Sequence, residues 1–568
     1  MTTPPIARGA DGYFHPASEA EVIALVNYAR ANSSQIRVRG ATHSAALSIF
    51  TDPVDGKPIN KTLEQVPPSG DNLNLALDQL MALSWIDEAG GVVEAEAGIH
   101  LGHDPNDPFG ASTLENSFLH QIYLKGWAVD TLGGITHQTI SGFTGTGSAG
   151  GSVMYGFNNV IAFRVVDGLG VAGWIVQGDP AFPAMLTSVG LLGIVVKMRF
   201  QLIKMYNIAG TEVTTSTGAD CPVNLFSRPN DKRPTLQQFL TETPYARITW
   251  WPQAGCERVQ VWQASRVDAC DKGLTPYQEF TPDFMGQAKQ LAASLFFVLL
   301  GNTSMGRIQK LLAKNVAQVR RNLTGIWTKG WLGGAAPAAA QAASLVLAAL
   351  VHFFALILGA VPGTVKALFT TLMPVFNQKT GSGPPTRFSD WYWRSLCMDN
   401  TADDVLLASE FAELWVPIQH SATVVNLLQG MFTAKGSKAT GYYALEVYAA
   451  APSPGWINPG YTDGTDVYKD GTIRIDLYWY RDNEGAPNVT HAFFDQYWNL
   501  LRGAGLPLRF HWGKFVPFYD FPDWAAFYGK NLPKLDDFLQ LRAERDPAGV
   551  FFTQYWQLRL TGAAQPPA

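Results

Sequence analysis

Residues 37–44, Arg-Val-Arg-Gly-Ala-Thr-His-Ser, form a short strand that runs into a loop of small residues. A helix is predicted just before them, over residues 16–30, with Ser18 as its N-cap and acidic residues in its first turn. Small residues let backbone N–H groups approach an anion closely. The stretch therefore predicts a cradle for a pyrophosphate group.

Three further segments within the first 205 residues support this interpretation. Residues 93–98 are a strand that ends in glycine, and residues 132–147 are a long loop of small residues that can lie flat against a planar ring. Residues 188–195 lead into another strand, and a strand is also predicted over 160–166. Helix and strand signals alternate without a regular βαβ repeat, so the predicted fold class is α+β.

A G-x-G-x-x-G pattern is present at Gly145, Gly147 and Gly150. A dinucleotide-binding Rossmann unit requires this pattern directly after a strand and at the start of a helix. Here the preceding residues are rich in turn formers, and no helical periodicity follows. The pattern favours a glycine-rich turn through which the backbone approaches some other ligand.

Composition excludes several classes of protein. The chain has 568 residues, enough for two to four domains, and its 47% hydrophobic and 16% charged residues exclude extensive disorder. A net charge of −5 argues against a nucleic-acid partner. Four cysteines without a CxxC pair exclude a disulfide framework, a zinc ribbon and a thioredoxin site. No signal peptide is recognisable, so a cytoplasmic location is expected, unless a leader has been removed.

His100 and His103 have a spacing that is found in metal sites. No third cluster of Cys, His or carboxylate residues accompanies them, and a loop rich in Pro and Asn follows. We interpret both as solvent-exposed loop histidines and predict no metal site.

The C-terminal region completes a family resemblance. Residues 510–514 read Phe-His-Trp-Gly-Lys, and Leu-Arg-Ala-Glu-Arg-Asp-Pro-Ala-Gly-Val-Phe follows at 541–551. Together with the four N-terminal segments, these motifs resemble the vanillyl-alcohol oxidase/p-cresol methylhydroxylase superfamily. The ending is similar to that of the aldonolactone and alditol oxidases and of the type II cholesterol oxidases, which carry covalent flavin.

The resemblance implies a two-domain flavoprotein with a split FAD-binding domain, formed by residues 1–205 and by a returning C-terminal segment, 501–568. Residues 206–500 would form an α+β substrate (cap) domain with a basic, apolar helical insert at 284–389. The cofactor-binding residues that the resemblance implies are Arg39, Gly40, Ala41, Thr42, His43, Ser44, Gly98, Gly134, Thr139, Gly142, Thr146, Gly147, Ile194, His511 and Lys514.

The resemblance also implies that the FAD is covalently bound. In relatives whose pyrophosphate loop ends in His, the imidazole is bonded to the flavin 8α-methyl group, and His43 occupies that place. A tethered imidazole makes the flavin a stronger oxidant. The alternative is that His43 only hydrogen-bonds the loop. A second tether through Cys is excluded, because no Cys lies between residues 1 and 220.

Four residues are implied to be catalytic. Lys514 matches the family lysine that stabilises negative charge on the flavin ring. The alternative interpretation is that Lys514 is an ordinary lysine on the protein surface. Glu446 matches the family Glu-x-Arg strand motif, although Tyr448 stands in place of Arg. Two residues apart on a strand, both side chains would share one face. Because Tyr448 lacks the charge of the family Arg, we expect Asp476 or Arg474 on the neighbouring strand to supply a charge there.

The composition of the insert indicates which class of substrate we expect. Residues 284–389 contain ten Lys or Arg and no Asp or Glu; 308–326 form an amphipathic helix pattern, and 342–361 are almost continuously apolar. We expect this insert to dock peripherally on an anionic membrane surface, with burial in the cap or a membrane span as alternatives. The expected activity is oxidation of a lipophilic, sterol-like alcohol. The alternatives are a sugar-lactone or polyol oxidase, or a membrane-associated flavoprotein reductase or electron-transfer protein. The oligomeric state is left open.

Overall fold

The computed structural model describes residues 3–52, 70–104, 107–252, 257–277, 385–398, 409–441, 444–480, 493–516 and 524–562. Most of the predicted insert, residues 284–384, lies outside these ranges, including its amphipathic and apolar runs, so membrane docking stays a prediction. Within the described ranges, no helix is both long enough and apolar enough to span a membrane.

The N-terminal part of the chain forms small sheets around a five-stranded antiparallel sheet. Strands β1 (Ile36–Arg39) and β2 (Leu73–Ala76) pair in parallel. Strands β3 (Leu83–Asp87), β4 (Val92–Glu96), β6 (Val160–Val166), β7 (Ala172–Val176) and β8 (Ile194–Gln201) form the larger sheet, in the order β3-β4-β8-β6-β7. Strand β5 (Trp127–Ala128) pairs with β9 (Ile203–Lys204).

The first predicted helix is present over Glu19–Ala31, where Ser18 caps the N-terminus by accepting a hydrogen bond from the backbone N–H of Glu21. Its buried face packs with β1, β2 and the C-terminal residues Val550 and Phe551 in one apolar cluster. The backbone N–H of Ile36 donates to the carbonyl of Val550 (2.8 Å), so the end of the chain returns to its beginning.

The second sheet has eight antiparallel strands. They are β10 (Tyr206–Thr215), β11 (Tyr245–Trp251), β12 (Arg258–Asp268), β13 (Thr386–Trp391), β14 (Ser409–Pro417), β15 (Ala444–Ala450), β16 (Thr472–Tyr480) and β17 (Arg509–Phe510), in the order β13-β10-β12-β11-β15-β16-β14-β17. The described chain thus passes from one sheet to the other between Lys204 and Tyr206, where the sequence prediction divides it. The domain limits themselves stay a prediction.

The remaining described helices connect and cover these sheets. They span Ala46–Ile49, Phe118–Tyr123, Ile140–Gly145, Phe182–Met185, Leu236–Glu242, Tyr392–Ser395, Ser421–Thr440, Asp495–Gly503, Trp524–Asn531, Leu535–Arg545 and Gln554–Thr561, and Ile418–His420 is a single 3₁₀ turn. The helix Ile140–Gly145 ends at the first glycine of the G-x-G-x-x-G pattern. A helix, and not the turn-rich segment expected from the sequence, therefore precedes the pattern, whereas a Rossmann unit would have a strand there.

Alternation along the central strands of the second sheet separates its two faces. On β16, Ile473, Ile475, Leu477 and Trp479 are buried against the apolar core, and Trp479 contacts Tyr497 of the helix Asp495–Gly503. The intervening residues, Arg474 among them, point to the opposite face, because side chains on a strand alternate between faces. This opposite face contacts the loop 146–153, through Arg474 and the carbonyl of Ala149.

The loop 146–153 joins the two sheets. The backbone N–H of Ala246 on β11 donates to the carbonyl of Gly151 (2.8 Å), and the Arg474 Nη1 donates to the carbonyl of Ala149 (2.6 Å). A Cβ atom at position 151 would lie only 2.2 Å from the carbonyl oxygen of Ala246. Only glycine fits this close backbone contact.

We expect Gly151→Ala to lower the free energy of unfolding by about 1–3 kcal/mol, because the added methyl group must push two backbones apart. Gly173→Ala on β7 is the matched control, since a Cβ there meets no atom within 4 Å. Thermal unfolding of the two variants is the measurement. Equal melting temperatures would contradict the inferred close contact.

Candidate functional site

An open cleft with about 1440 Å³ of empty space lies beside β1 and the five-stranded sheet. Its walls come from β1, the loop after it, the 138–146 segment and the 188–195 turn. Of the predicted cofactor-binding residues, the following line the cleft: Arg39, Gly40, Ala41, Thr42, His43, Ser44, Gly98, Thr139, Gly142, Thr146 and Ile194.

The loop after β1 is held in an unusual conformation. Thr42 has a φ of 59°, in the left-handed region that a β-branched residue rarely adopts. Strained backbone of this kind persists where the surrounding structure holds a ligand-binding loop in place. Gly98 also lines the cleft, and only glycine fits there, because a Cβ atom would lie 1.9 Å from the carbonyl oxygen of Leu77.

Two buried polar atoms in this loop fit an anionic ligand. Within the described residues, Nη1 of Arg39 and Oγ1 of Thr42 have no hydrogen-bond partner, and both side chains line the cleft. The guanidinium of Arg39 lies over the rings of Tyr13 (5.5 Å) and Phe109 (5.0 Å), which fixes its position. Because buried polar groups are normally hydrogen-bonded, the loop fits the pyrophosphate of a dinucleotide such as FAD.

His43 lies at the rim of this loop. Its side chain is half-buried and lines the cleft, and its ring centroid is 5.5 Å from that of His137. The imidazole is therefore within the cavity where the sequence places the tether.

The other four predicted cofactor-binding residues lie outside the cleft lining. Gly134 contacts Met398, and Gly147 occupies a turn with a φ of 70° against Asn458. His511 and Lys514 belong to the loop 511–514 that follows β17. These residues stand between the cleft and the second sheet.

Three of the four predicted catalytic residues, Glu446, Tyr448 and Asp476, lie on one face of the second sheet, and Lys514 is in the loop 511–514. In the strand register, Glu413 on β14 lies opposite Asp476 on β16, and Asp476 lies opposite Glu446 on β15. Directly opposed residues of antiparallel strands have Cβ atoms about 4.5–5.5 Å apart. Glu413, Asp476 and Glu446 therefore form one line across three strands, which we call the carboxylate row.

Glu413 is fully buried and ionised. Its Oε1 accepts hydrogen bonds from Nε of Arg474 (2.6 Å) and from the Trp415 indole (2.7 Å). Burial by itself would raise the pKa of Glu413, but Arg474 and, less strongly, His511 and Lys514 lower the pKa to about 2.

Glu446 has a different set of donors. The Tyr448 hydroxyl donates to its carboxylate, so the prediction that both side chains share one face is confirmed. The Tyr478 hydroxyl is also hydrogen-bonded to it. Burial, and then the charge of Glu446, raise the pKa of Tyr448 well above its usual value, which keeps the phenol a donor.

Two arginines flank Tyr448. Arg474 on β16 and Arg247 on β11 lie opposite it in the register, and the Arg474 guanidinium is 5.2 Å from its ring centroid. The positive charge that Tyr448 cannot supply is thus present on both neighbouring strands. Arg474 was one of the two expected sources, whereas sequence reasoning missed Arg247.

The loop 511–514 connects the row with the cleft. The backbone N–H of His511 donates to the carbonyl of Glu413 (3.2 Å), while the carbonyl of Gly513 accepts from the N–H of Ala45 (2.8 Å). Trp512 lines the cleft, and the Lys514 Nζ lies 4.5 Å from the ring centroid of Phe411. One short loop therefore contacts both the predicted cofactor loop and the carboxylate row.

The interpretation of the histidine pair as solvent-exposed is wrong. His100 is buried and its Nδ1 is 2.7 Å from the carbonyl oxygen of His137, while His103 is half-buried. The reason is that His100 bridges to Thr139 in a strand-like contact, so this segment is an ordered wall of the cleft. In the described part of the chain, no three His, Cys, Asp or Glu side chains are grouped so that they could hold a metal ion.

Sequence reasoning also missed Glu413 and the aromatic wall of the cleft. Glu413 lies two residues before Trp415 in a strand whose alternate residues are apolar, so a carboxylate at a regular strand position was the available signal. Phe109, Phe551 and Trp556 line the cleft as well. They come from distant segments, and no local pattern identifies them.

The part of the chain that contains the carboxylate row is similar to known proteins. The family model of D-arabinono-1,4-lactone oxidase matches residues 399–559, which contain the carboxylate row and the loop 511–514. The D-arabinono-1,4-lactone oxidase of Saccharomyces cerevisiae is 25% identical over 268 residues, which is 46% of this chain and 42% of that protein. The Yarrowia lipolytica enzyme of the same name is 27% identical over 269 residues, 45% of this chain and 41% of the relative.

The predicted resemblance is confirmed. The matches span about two fifths of the length of these relatives. Among solved structures, a cholesterol oxidase from B. sterolicum has a TM-score of 0.62 at 15% identity, covering 96% of this chain and 93% of its own. A chitooligosaccharide oxidase has a TM-score of 0.53 at 12% identity, covering 95% and 89%. At these identities the likeness shows the fold, and it confirms the predicted α+β architecture of two-domain flavoprotein oxidases.

The burial of His511 predicts that the stability of the folded protein depends on pH. Burial, which outweighs the opposing charge of Glu413, lowers the pKa of His511 from 6.5 to about 4, and its Nδ1 accepts a hydrogen bond from the N–H of Gly513. Below pH 6.5 the unfolded chain binds a proton that the folded protein does not, so stability falls as the pH falls toward 4.

Between neutral pH and about pH 5, this residue should remove about 2 kcal/mol from the free energy of unfolding. His511→Gln, whose side-chain oxygen can still accept from Gly513, should lack that part of the pH dependence. Urea unfolding of both proteins at the two pH values is the measurement. The same pH dependence in both would show that His511 is not held neutral.

Proposed function

We propose that the protein is an FAD-dependent oxidase of the aldonolactone oxidase type, which oxidises a hydroxyl group of a sugar lactone or a related polyol. The observation that carries this proposal is that the family match, residues 399–559, contains the whole carboxylate row. The comparisons favour this alternative over the sterol-like alcohol that the apolar insert suggested, because the likeness to cholesterol oxidase concerns the fold.

The chemistry of the polar face supports a hydroxylated substrate. Three carboxyl groups, two arginines and two tyrosine hydroxyls occupy adjacent positions on β11, β14, β15 and β16. Most of these groups are hydrogen-bonded to one another, but the buried Oδ1 of Asp476 has no hydrogen-bond partner within the described residues. An apolar sterol skeleton would leave this atom without a partner, at a cost of about 1–3 kcal/mol. A lactone with several hydroxyl groups can form a hydrogen bond with it instead.

The cleft supports FAD as the cofactor. Arg39 and Thr42 would hold its pyrophosphate, and His43 would form the single covalent link. When bound, the flavin supplies a two-electron acceptor for the hydride of the substrate carbon, and dioxygen takes up the electrons to form hydrogen peroxide. Binding in a cleft formed by distant segments would bring the flavin next to the loop 511–514.

Proton transfer, charge stabilisation and positioning are assigned to the carboxylate row and to the residues beside it. Glu446 accepts the proton of the substrate hydroxyl at a carboxylate oxygen, as a general base does. Lys514 provides a positive charge at the junction between row and cleft, where negative charge develops during the reaction. Arg474 and Arg247 flank Tyr448, and Tyr448 in turn orients the Glu446 carboxylate by its hydrogen bond.

We expect the purified protein to consume oxygen with aldonolactones, less rapidly with open-chain alditols, and not with cholesterol in detergent, because cholesterol has a single hydroxyl group and the other substrates have several polar oxygens for the polar face. Oxygen uptake and peroxide formation across this panel are the measurements. Flavin reduction by a lactone without oxygen uptake would favour the electron-transfer alternative. Turnover of cholesterol alone would contradict the proposal.

We further propose that His43 carries the flavin covalently, as its position in the cleft allows. Acid-precipitated protein should remain yellow, and mass mapping should find the flavin on the peptide that contains His43. The neighbouring His137 serves as the internal control, because its ring lies only 5.5 Å away. Complete release of flavin into the supernatant, or attachment at His137, would contradict the assignment.

A further inference from the structure

We infer that Asp476, which lies between Glu413 and Glu446 in the carboxylate row, carries a proton at neutral pH and binds the substrate as a hydrogen-bond donor. This inference rests on the proposed function for the nature of the substrate. The protonation state itself follows from the arrangement of the three carboxyl groups.

The spacing of the row makes three negative charges costly. Asp476 is opposed by Glu413 on one side and by Glu446 on the other, both in direct register. Carboxyl groups this close in a buried site resist ionising together, so at least one of them keeps its proton.

The hydrogen-bond donors decide which carboxyl group that is. Glu413 accepts from Arg474 and Trp415, and Glu446 is hydrogen-bonded by Tyr448 and Tyr478. Each outer carboxylate thus has two donors. The Asp476 carboxyl, by contrast, is buried, and its Oδ1 has no hydrogen-bond partner within the described residues.

A buried carboxylate oxygen without a donor is costly when the group is charged, whereas a neutral carboxyl group costs much less. Asp476 is therefore the member of the row that is easiest to protonate. Its Oδ1 is also the atom of the row that is left available for a ligand.

The remaining charges around Asp476 do not change this assignment. Burial raises the pKa of Asp476 well above its usual value; Lys514 opposes the shift, Glu413 and Glu446 reinforce it, and Arg474 opposes it weakly. The Arg474 guanidinium is already engaged with Glu413 and with the carbonyl of Ala149. His511 is neutral near pH 7, because burial holds its pKa at about 4.

A protonated Asp476 opposite Glu446, whose oxygen accepts from Tyr448, gives the polar face one donor and one acceptor at adjacent positions. A substrate that fits them presents an acceptor oxygen, such as a lactone carbonyl or ring oxygen, beside the hydroxyl group that reacts. Asp476 then orients the substrate, and the proton that leaves the hydroxyl goes to Glu446. This pairing distinguishes a lactone or polyol from a simple alcohol, which offers only one oxygen.

Infrared difference spectroscopy of the holoenzyme at neutral pH tests the protonation state directly. The wild-type protein minus Asp476→Asn should show the carbonyl stretch of a protonated carboxylic acid, which shifts when the solvent is D₂O. The same band should persist in Glu446→Gln, the matched control. A missing band, or a band that Asp476→Asn leaves in place, would overturn the inference whether or not the protein turns over a lactone.

Kinetics test the donor role. Asp476→Asn keeps an N–H donor and should lower kcat/KM by about tenfold, whereas Asp476→Leu should lower it by about 10²-fold. Glu446→Gln removes the base and should lower kcat by about 10²-fold or more. If Asp476→Asn is as inactive as Glu446→Gln, Asp476 acts as an ionised group and the inference is wrong.

Discussion

The buried ion pair between Glu413 and Arg474 is the contact on which the rest of the candidate site depends. Its two side chains come from neighbouring strands, and the Nε–Oε1 distance is 2.6 Å. Arg474 also donates to the carbonyl of Ala149, in the loop that joins the two sheets. Buried ion pairs add little stability compared with apolar packing, so the value of this one lies in positioning.

The ion pair has consequences on both sides of the site. It commits the positive charge of Arg474 to Glu413, which leaves Asp476 without that partner. It also anchors β14, whose Glu413 carbonyl accepts from His511 at the start of the loop 511–514. That loop contacts the cofactor loop through Gly513 and Ala45. The ion pair therefore affects both the distribution of charge in the carboxylate row and the contact between the loop 511–514 and the cofactor loop.

Local patterns allowed much of this arrangement to be predicted from the sequence. The capped first helix, the glycine-rich walls of the cleft and the shared face of Glu446 and Tyr448 each depend on spacing within one element. The carboxylate row depends on the pairing of three strands, and its residues are 30 or more positions apart in the chain. Periodicity within one strand does not indicate which residues of neighbouring strands lie opposite one another. Glu413 and Arg247 were missed for this reason.

Composition was a weaker guide than spacing. The apolar, basic insert suggested a lipophilic substrate, but composition does not indicate which residues face the site. The candidate catalytic residues come instead from alternate positions of β11, β14, β15 and β16, where strand pairing brings charged and hydroxylated side chains together. The same limit applies to His100, whose burial follows from its contact with the carbonyl of His137 rather than from its neighbours in sequence.

A crystal structure of the holoenzyme with an unreactive aldonolactone analogue tests the central claim most directly, because that claim is that the cleft and the carboxylate row form one site. We predict density for FAD in the cleft beside Arg39 and Thr42. The analogue should lie between the flavin ring and the row, with its oxygens within about 3.2 Å of Asp476 and Glu446. An analogue that binds away from the row, or a flavin whose ring points away from the loop 511–514, would contradict the account.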